Sequence, residues 1–284
     1  MTRPSPPLPS PPTPLPPDGG RGEWSLPSPR AAGRGVGGEG SGGEGHRLAL
    51  VLVGLALLWT SVADAQVAVA PLSAGRLGTT PPPGWSELTF PKIERRTRYE
   101  HLVDDGVTVV AATAEASASG WIHRLDVPAA NARMLRWRWK AVELPTGSDL
   151  RTKAGDDAAA RVYVTFRYAP ERLPWPQRLL YDAARVIYGE APPHATLMYV
   201  WDARAPQGAT FANPYTDRVR NVVVESGAAR LNQWLAYERD VLADYRAAFG
   251  EEPPPISGIA IMTDADNTRS RAAARYGDVT LSPR

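Results

Sequence analysis

The 284-residue chain carries a formal net charge of +2, 43% hydrophobic residues and no cysteine, the profile of a globular protein of ordinary size. The near-balanced charge offers no broad basic field for a phosphate backbone, so nucleic acid is not an expected partner. Without cysteine there is no thiolate metal site, thiol nucleophile or disulfide, and stability must come from packing or from an oxygen-bound ion.

Residues 1–47 are proline runs followed by a Gly/Glu/Arg tract. Such a composition buries too little apolar surface to offset its ordering entropy and predicts a disordered segment. A proline-rich docking arm is the functional alternative, and a true start nearer Val36 is the plainest one. His46-Arg47, the apolar run 48–59 and Ala63-Asp64-Ala65 ahead of Gln66 then occur in the order of a secretory signal. The run is short for about 30 Å of hydrocarbon, although an uncleaved anchor is the rival reading. The expected organisation is therefore a signal core and cleavage region over 48–65, a Pro-rich lead-in over 66–84 and a single domain over 85–284. The mature chain is expected to be periplasmic or secreted, with no stable membrane span after cleavage.

The domain reads as short β-type runs separated by Gly, Pro, Asn and Asp. Asp104-Asp105-Gly106 is a hairpin signal ahead of a strand over 107–114. A second strand over 120–127 is expected to pair with it in a meander. Over 135–140, strict alternation puts Leu135, Trp137 and Trp139 on one face and Arg136, Arg138 and Lys140 on the other. Over 160–168 the same pattern opposes Val162, Val164 and Phe166 to Arg161, Tyr163, Thr165 and Arg167. Further strands are expected over 196–202, 220–225, 234–240, 256–264 and 276–282. A helix over 177–188 begins beside Pro176 and stops at Gly189, and another over 241–249 has Asp240 as N-cap and Gly250 as its stop. The helices do not alternate regularly with the strands, which argues against a βαβ parallel sheet. The predicted class is mainly β, a β-sandwich of jelly-roll (galactose-binding-like) type with two short inserted helices.

Several blocks carry a resemblance. They are Leu135-x-Trp137-x-Trp139-Lys140, the stretch from Asp149 through Lys153 and Asp156-Asp157 to Val164, Tyr199-Val200-Trp201-Asp202, and the tail from Ile259 to Thr268 followed by Tyr276-Gly277-Asp278. Together, over about Trp85 to Leu281, the chain resembles the bacterial domain of unknown function family 3047. The resemblance implies an exported bacterial protein and carries over no catalytic residue.

Asp149, Lys153, Asp156, Asp157 and Arg161 form the densest polar cluster. Adjacent carboxylates bind a hard cation or titrate as a pair, but Asp156 and Asp157 face one site only where the loop is irregular. The plain alternative is mutual neutralisation with Arg151, Lys153 and Arg161. Asp264, Asp266 and Asn267, with Asp278, supply oxygen ligands suited to calcium, without the Gly and distal Glu of an EF-hand; Asx-turn chemistry is the alternative. If their strands are neighbours, the faces of Arg136 and Arg138 and of Arg161 join Tyr163, Tyr199, Trp201 and Asp202 in an aromatic, basic surface for sugar rings and anionic groups. The opposed reading is a solvated outer sheet face.

The histidines lack metal-ligand spacing, and there is no nucleophile elbow, phosphate loop or dinucleotide fingerprint. Three functions compete. The first is a non-catalytic envelope module binding a glycan or other small polar ligand. The second is a polysaccharide hydrolase or lyase using the cluster between Asp149 and Arg161, and the third is a structural or assembly role.

Overall fold

Period-two alternation sorts the strands into two sheets that bury their aromatic and aliphatic faces against each other. The computed structural model describes Val67 and residues 69–176, 178, 179, 181 and 192–284, all within the unit Thr60–Arg284. The described strands are β1 (Trp85–Leu88), β2 (Arg98–Asp104), β3 (Val107–Glu115), β4 (Ala118–Val127), β5 (Met134–Glu143) and β6 (Ala160–Phe166). They continue as β7 (Ala195–Asp202), β8 (Thr210–Asn213), β9 (Thr216–Ser226), β10 (Leu235–Asp240), β11 (Ile256–Asp264) and β12 (Arg271–Ser282), and an α-helix, α1 (Val241–Phe249), lies between β10 and β11. A seven-stranded sheet runs β1-β4-β11-β6-β7-β9-β8 and a five-stranded sheet runs β10-β5-β12-β3-β2. Every pairing is antiparallel except β7 with β9. This is a mainly β, two-sheet sandwich of jelly-roll type, as the alternation predicted.

The expected faces hold. Leu135, Trp137 and Trp139 of β5 and Val162, Val164 and Phe166 of β6 are buried in one continuous core. Across the sandwich Trp137 packs on Tyr199 at 5.2 Å between ring centroids, and Trp139 on Trp201 at 6.4 Å. The Asp105–Gly106 turn joins β2 to β3 with both residues in the left-handed region, φ 51° and 77°, which is the backbone a two-residue hairpin of this twist requires. Helix α1 starts where Asp240 accepts the amides of Leu242 and Ala243 at 3.1 and 3.0 Å, and ends at Gly250 with φ 70°. The other expected helix, over 177–188, falls largely outside the described residues.

The expected meander of β3 with β4 does not form, because the two strands belong to different sheets. Ala116, at φ 46°, and Ser117 turn a corner between the sheets instead of closing a hairpin. Their backbone groups are taken by other segments: Ala116 N–H donates to Ser270 O at 2.9 Å, and Ala265 N–H donates to Ser117 O at 3.0 Å. Small side chains at Ala114, Ala265 and Ala272 let the layers meet there.

The lead-in is part of the sandwich. Val67 bridges Leu281, and Leu72 is fully buried in the core. His123 Nε2 accepts the Ala70 amide at 3.1 Å, Trp85 Nε1 donates to Ala70 O at 2.7 Å, and His101 Nε2 donates to Leu72 O at 3.1 Å. No described helix is long and apolar enough to cross a membrane; the apolar run 48–59 lies outside the described residues.

Candidate binding groove

The outer face of the seven-stranded sheet is hollowed where its outward side chains are short. In β11, Gly258 and Ala260 occupy the row between bulkier neighbours, and Ala260 pairs with Ile122 on one side and Tyr163 on the other. Tyr163 in turn pairs with Met198. The result is a groove of about 770 Å³ whose lining reaches from Ile122 on β4 to Asn213 on β8. Five strand spacings at about 4.8 Å each make that roughly 24 Å. Ile122, Tyr163, Met198 and Met262 give it an apolar floor, and Lys92 and Arg167 stand among the residues lining its walls.

Polar groups converge where the loop before β6 meets the end of β11. A 3-10 turn at Lys153–Gly155 leaves Asp156 and Asp157 outside regular strand, so both carboxylates can turn toward the same place. Arg161, 1% exposed, holds Asp264 with two bonds, Nε to Oδ1 at 2.9 Å and Nη2 to Oδ2 at 2.8 Å. The same guanidinium donates to Asp156 Oδ1 at 3.2 Å and to its carbonyl at 2.8 Å. Asp156 Oδ2 accepts from the Asn213 amide at 2.8 Å. Asp157 Oδ1 accepts from Asn267 Nδ2 at 3.2 Å and Oδ2 from the Thr268 amide at 2.6 Å. Above them Tyr215 donates to Asn267 Oδ1 at 3.0 Å and to Lys153 O at 3.1 Å.

This end is rich in acid. Asp156, Asp157, Asp264 and Asp266 face one guanidinium. Burial, then the neighbouring Asp157 and Asp156, push Asp264 up to about 8 against the pull of Arg161. Burial and Asp157 likewise raise Asp266. Burial opposes the charge of Arg161, but Asp264 and Asp156 hold it protonated well above the usual guanidinium range. One carboxylate oxygen from each of Asp157, Asp264 and Asp266 falls within 4.8 Å of the others, an oxygen set of the kind a hard cation uses. Arg161 already supplies part of the positive charge a cation would bring.

The chain matches the profile of the family described as a protein of unknown function, DUF3047, over residues 83–280. It belongs to the DUF3047 family. No curated protein matches the sequence. Among solved structures, this DUF3047 domain is similar to the family 11 carbohydrate-binding module of a cellulosomal cellulase of Clostridium thermocellum, at 8% identity and TM-score 0.38, covering 77% of this chain and 95% of that one. It is similar also to the xyloglucanase domain of NopAA, a type three effector from Sinorhizobium fredii, in complex with cellobiose, at 11% identity and TM-score 0.37, covering 74% and 99%. A third is the K3 cleaved adhesin domain of Lys-gingipain from Porphyromonas gingivalis, at 10% identity and TM-score 0.36, covering 77% and 99%.

The DUF3047 domain brings together only part of the residues singled out in its sequence. Asp156, Asp157, Arg161, Asp264, Asp266 and Asn267 converge, with Lys153 beside them over the Tyr215 ring at 5.3 Å. Tyr163 lies along the floor. Arg136 and Arg138 do not join them, because β5 and β6 are in different sheets and their outward faces look in opposite directions. Tyr199 and Trp201 point inward and are fully buried in the core, so they offer no ring to a sugar. Asp202 caps a turn, accepting the amides of Arg204 and Ala205 at 2.6 and 2.7 Å. Asp278 lies on β12 in the other sheet and accepts from the Ser73 amide and hydroxyl, both at 2.8 Å, so it does not complete an ion site with Asp264. Sequence reasoning missed Asn213 and Tyr215. The only signal was the turn-like Asn213-Pro214-Tyr215, which says nothing of a partner 57 residues away.

Proposed function

We propose that this domain is a non-catalytic binding module that seats an extended glycan in the groove over the seven-stranded sheet. The observation that carries the reading is a groove with an apolar floor across β4, β11, β6 and β7, roughly 14 Å wide in strand spacings, that leads to a fixed polar array at one end. Sugar rings pack their C–H faces on thioethers and aromatic edges while their hydroxyls need oriented donors and acceptors. Met198, Met262 and Tyr163 supply the first, and Asp266, Asn267 and the Tyr215 hydroxyl border the second. The array is held in place before any ligand arrives, which lowers the ordering cost of binding.

The hydrolase alternative is disfavoured by how the acids are used. Both oxygens of Asp156, Asp157 and Asp264 already accept hydrogen bonds from Arg161, from side-chain amides or from backbone N–H groups. A glycosidase needs two carboxyl groups flanking the scissile bond, whereas these three are turned toward Arg161, Asn213, Asn267 and Thr268. The test is an array of immobilised neutral and acidic polysaccharides. At least one extended glycan should be retained, with affinity falling tenfold or more in Tyr215→Ala and Asp266→Ala. Absence of any retained glycan, or glycan cleavage that these variants abolish, would overturn the reading.

We infer also that the chain is exported and cleaved after Ala65, on the order of cationic flank, apolar run and small-residue triplet. Protein recovered from cells should begin at Gln66. Recovery of chains still carrying residues 48–65 would favour an anchor.

A further inference from the structure

The outer face of the five-stranded sheet, on the far side of the sandwich from the groove, carries a second arrangement of charged and aromatic groups. Arg136, Arg138 and Lys140 of β5 project there beside Arg275 of β12, and their counter-charges are unevenly shared. Glu238 pairs with Arg136 at 2.5 Å. Asp104 pairs with Lys140 and, at 2.7 Å, with Arg275. Arg138 has no carboxylate partner among the described residues. Its guanidinium instead lies over the Trp234 ring, 4.7 Å from the centroid.

Arg138 is nonetheless held in place. The indole N–H of Trp234 donates to Asp104 Oδ2 at 3.1 Å, so the ring beneath the guanidinium is fixed by an acid that two other cations hold. Burial disfavours the charge on Asp104, but Lys140 and Arg275 outweigh it and keep the carboxyl below its ordinary range. The Arg138 stem runs against Gly277, where a β-carbon would come within 2.6 Å of its Cγ and Nε. A guanidinium seated on a locked indole and a bare glycine is pre-organised, and its fork matches a carboxylate in two-point geometry. It borders a pocket of about 470 Å³ that Thr108, Thr280 and the apolar Val107 and Ala236 also line.

We propose that this pocket is a second ligand site, distinct from the groove, which takes the carboxylate of an acidic sugar on Arg138. One uncommitted guanidinium matches one negative charge. Glu238 and Asp278 on the pocket's rim disfavour a dianionic phosphate. The two threonine hydroxyls and the apolar walls suit the remainder of a sugar ring. The proposal does not depend on the groove binding anything.

The probes are galacturonate, a short oligogalacturonate, galactose and inorganic phosphate, read by the shift of the Trp234 indole N–H resonance on titration. Galacturonate should move that resonance saturably and at least tenfold more tightly than galactose or phosphate. The oligomer arm reports whether the pocket takes a chain end or an internal unit. Arg138→Gln should weaken galacturonate at least tenfold, and Gly277→Ala, which leaves Arg138 present but displaces its stem, should do the same. Tyr215→Ala, on the other face, should leave it unchanged. Equal response to galactose and galacturonate, tighter response to phosphate, or retained affinity in folded Arg138→Gln would overturn the proposal.

Discussion

Removing the Arg161 guanidinium would leave Asp156 buried without the positive charge it faces, while Asp264, protonated up to about pH 8, would lose two hydrogen-bond donors. Breaking a buried pair costs about 3–5 kcal/mol because the remaining charge stays desolvated. Arg161→Met should therefore lower unfolding free energy by that order in urea titrations, and Arg161→Lys should recover little, since an ammonium cannot span both carboxylates. Asp264 sets a pH dependence with a definite sign. Its folded pKa, about 8, lies above the unfolded value near 3.8, so the folded state binds more protons between them and stability falls as pH rises through that window. Wild type should lose stability relative to Asp264→Asn between pH 4.5 and 7.5. A difference that grows the other way would mean the carboxylate is ionised throughout. Asn221 offers a contrasting case: it is fully buried on β9 with neither side-chain oxygen nor nitrogen bonded among the described residues. Replacing an unpaired amide by an apolar group of similar shape recovers its desolvation cost, so Asn221→Leu should raise stability by about 1–3 kcal/mol. At this scale the sequence was informative about Trp137 and Trp139, whose alternation with charge marked them as core. It misassigned Tyr199 and Trp201, because in β7 both faces are buried and alternation carries no direction.

Among the elements, the legible ones were those with one wet face or a chemical stop. β5 and β6 alternate cleanly, and α1 has its acid cap and its glycine. β2 was missed because one of its inward positions is His101, 4% exposed, which breaks the apolar pattern. β1 and β8 have four residues each, too few to establish a period. The lead-in was read as a Pro-rich approach, yet Leu72 anchors it, and Leu72→Ala should cost about 2–5 kcal/mol, the range for emptying a buried leucine site. His123 holds the same segment through the Ala70 amide and must be neutral at Nε2 to accept it. Burial lowers its pKa, so its contribution is complete above about 6.5, the unfolded value, and is lost as pH falls below it. Amide exchange at Ala70 should be protected at pH 7.5 and should gain, on acidification to pH 5, more than the intrinsic chemistry predicts. Unchanged protection would show that Trp85 and Leu72 hold the segment without the imidazole.

For the molecule as a whole, sheet class was legible and strand order was not, since pairing partners lie far apart in the chain. The polar array shows the same limit: Asn213 reaches Asp156 from 57 positions away, and Thr268 reaches Asp157 from 111. β12 is the middle strand of its sheet, between β5 and β3, and β11 sits between β4 and β6 in the other. In chain order β11 and β12 follow every other described strand, yet they fill interior gaps in both layers, so neither layer can close until Ile256–Asp264 and Arg271–Ser282 are in place. A chain truncated before Arg271 should show no cooperative melt. Because each layer is locked by a strand that comes after its neighbours in the chain, the two sheets form one cooperative unit and neither is a stable half on its own.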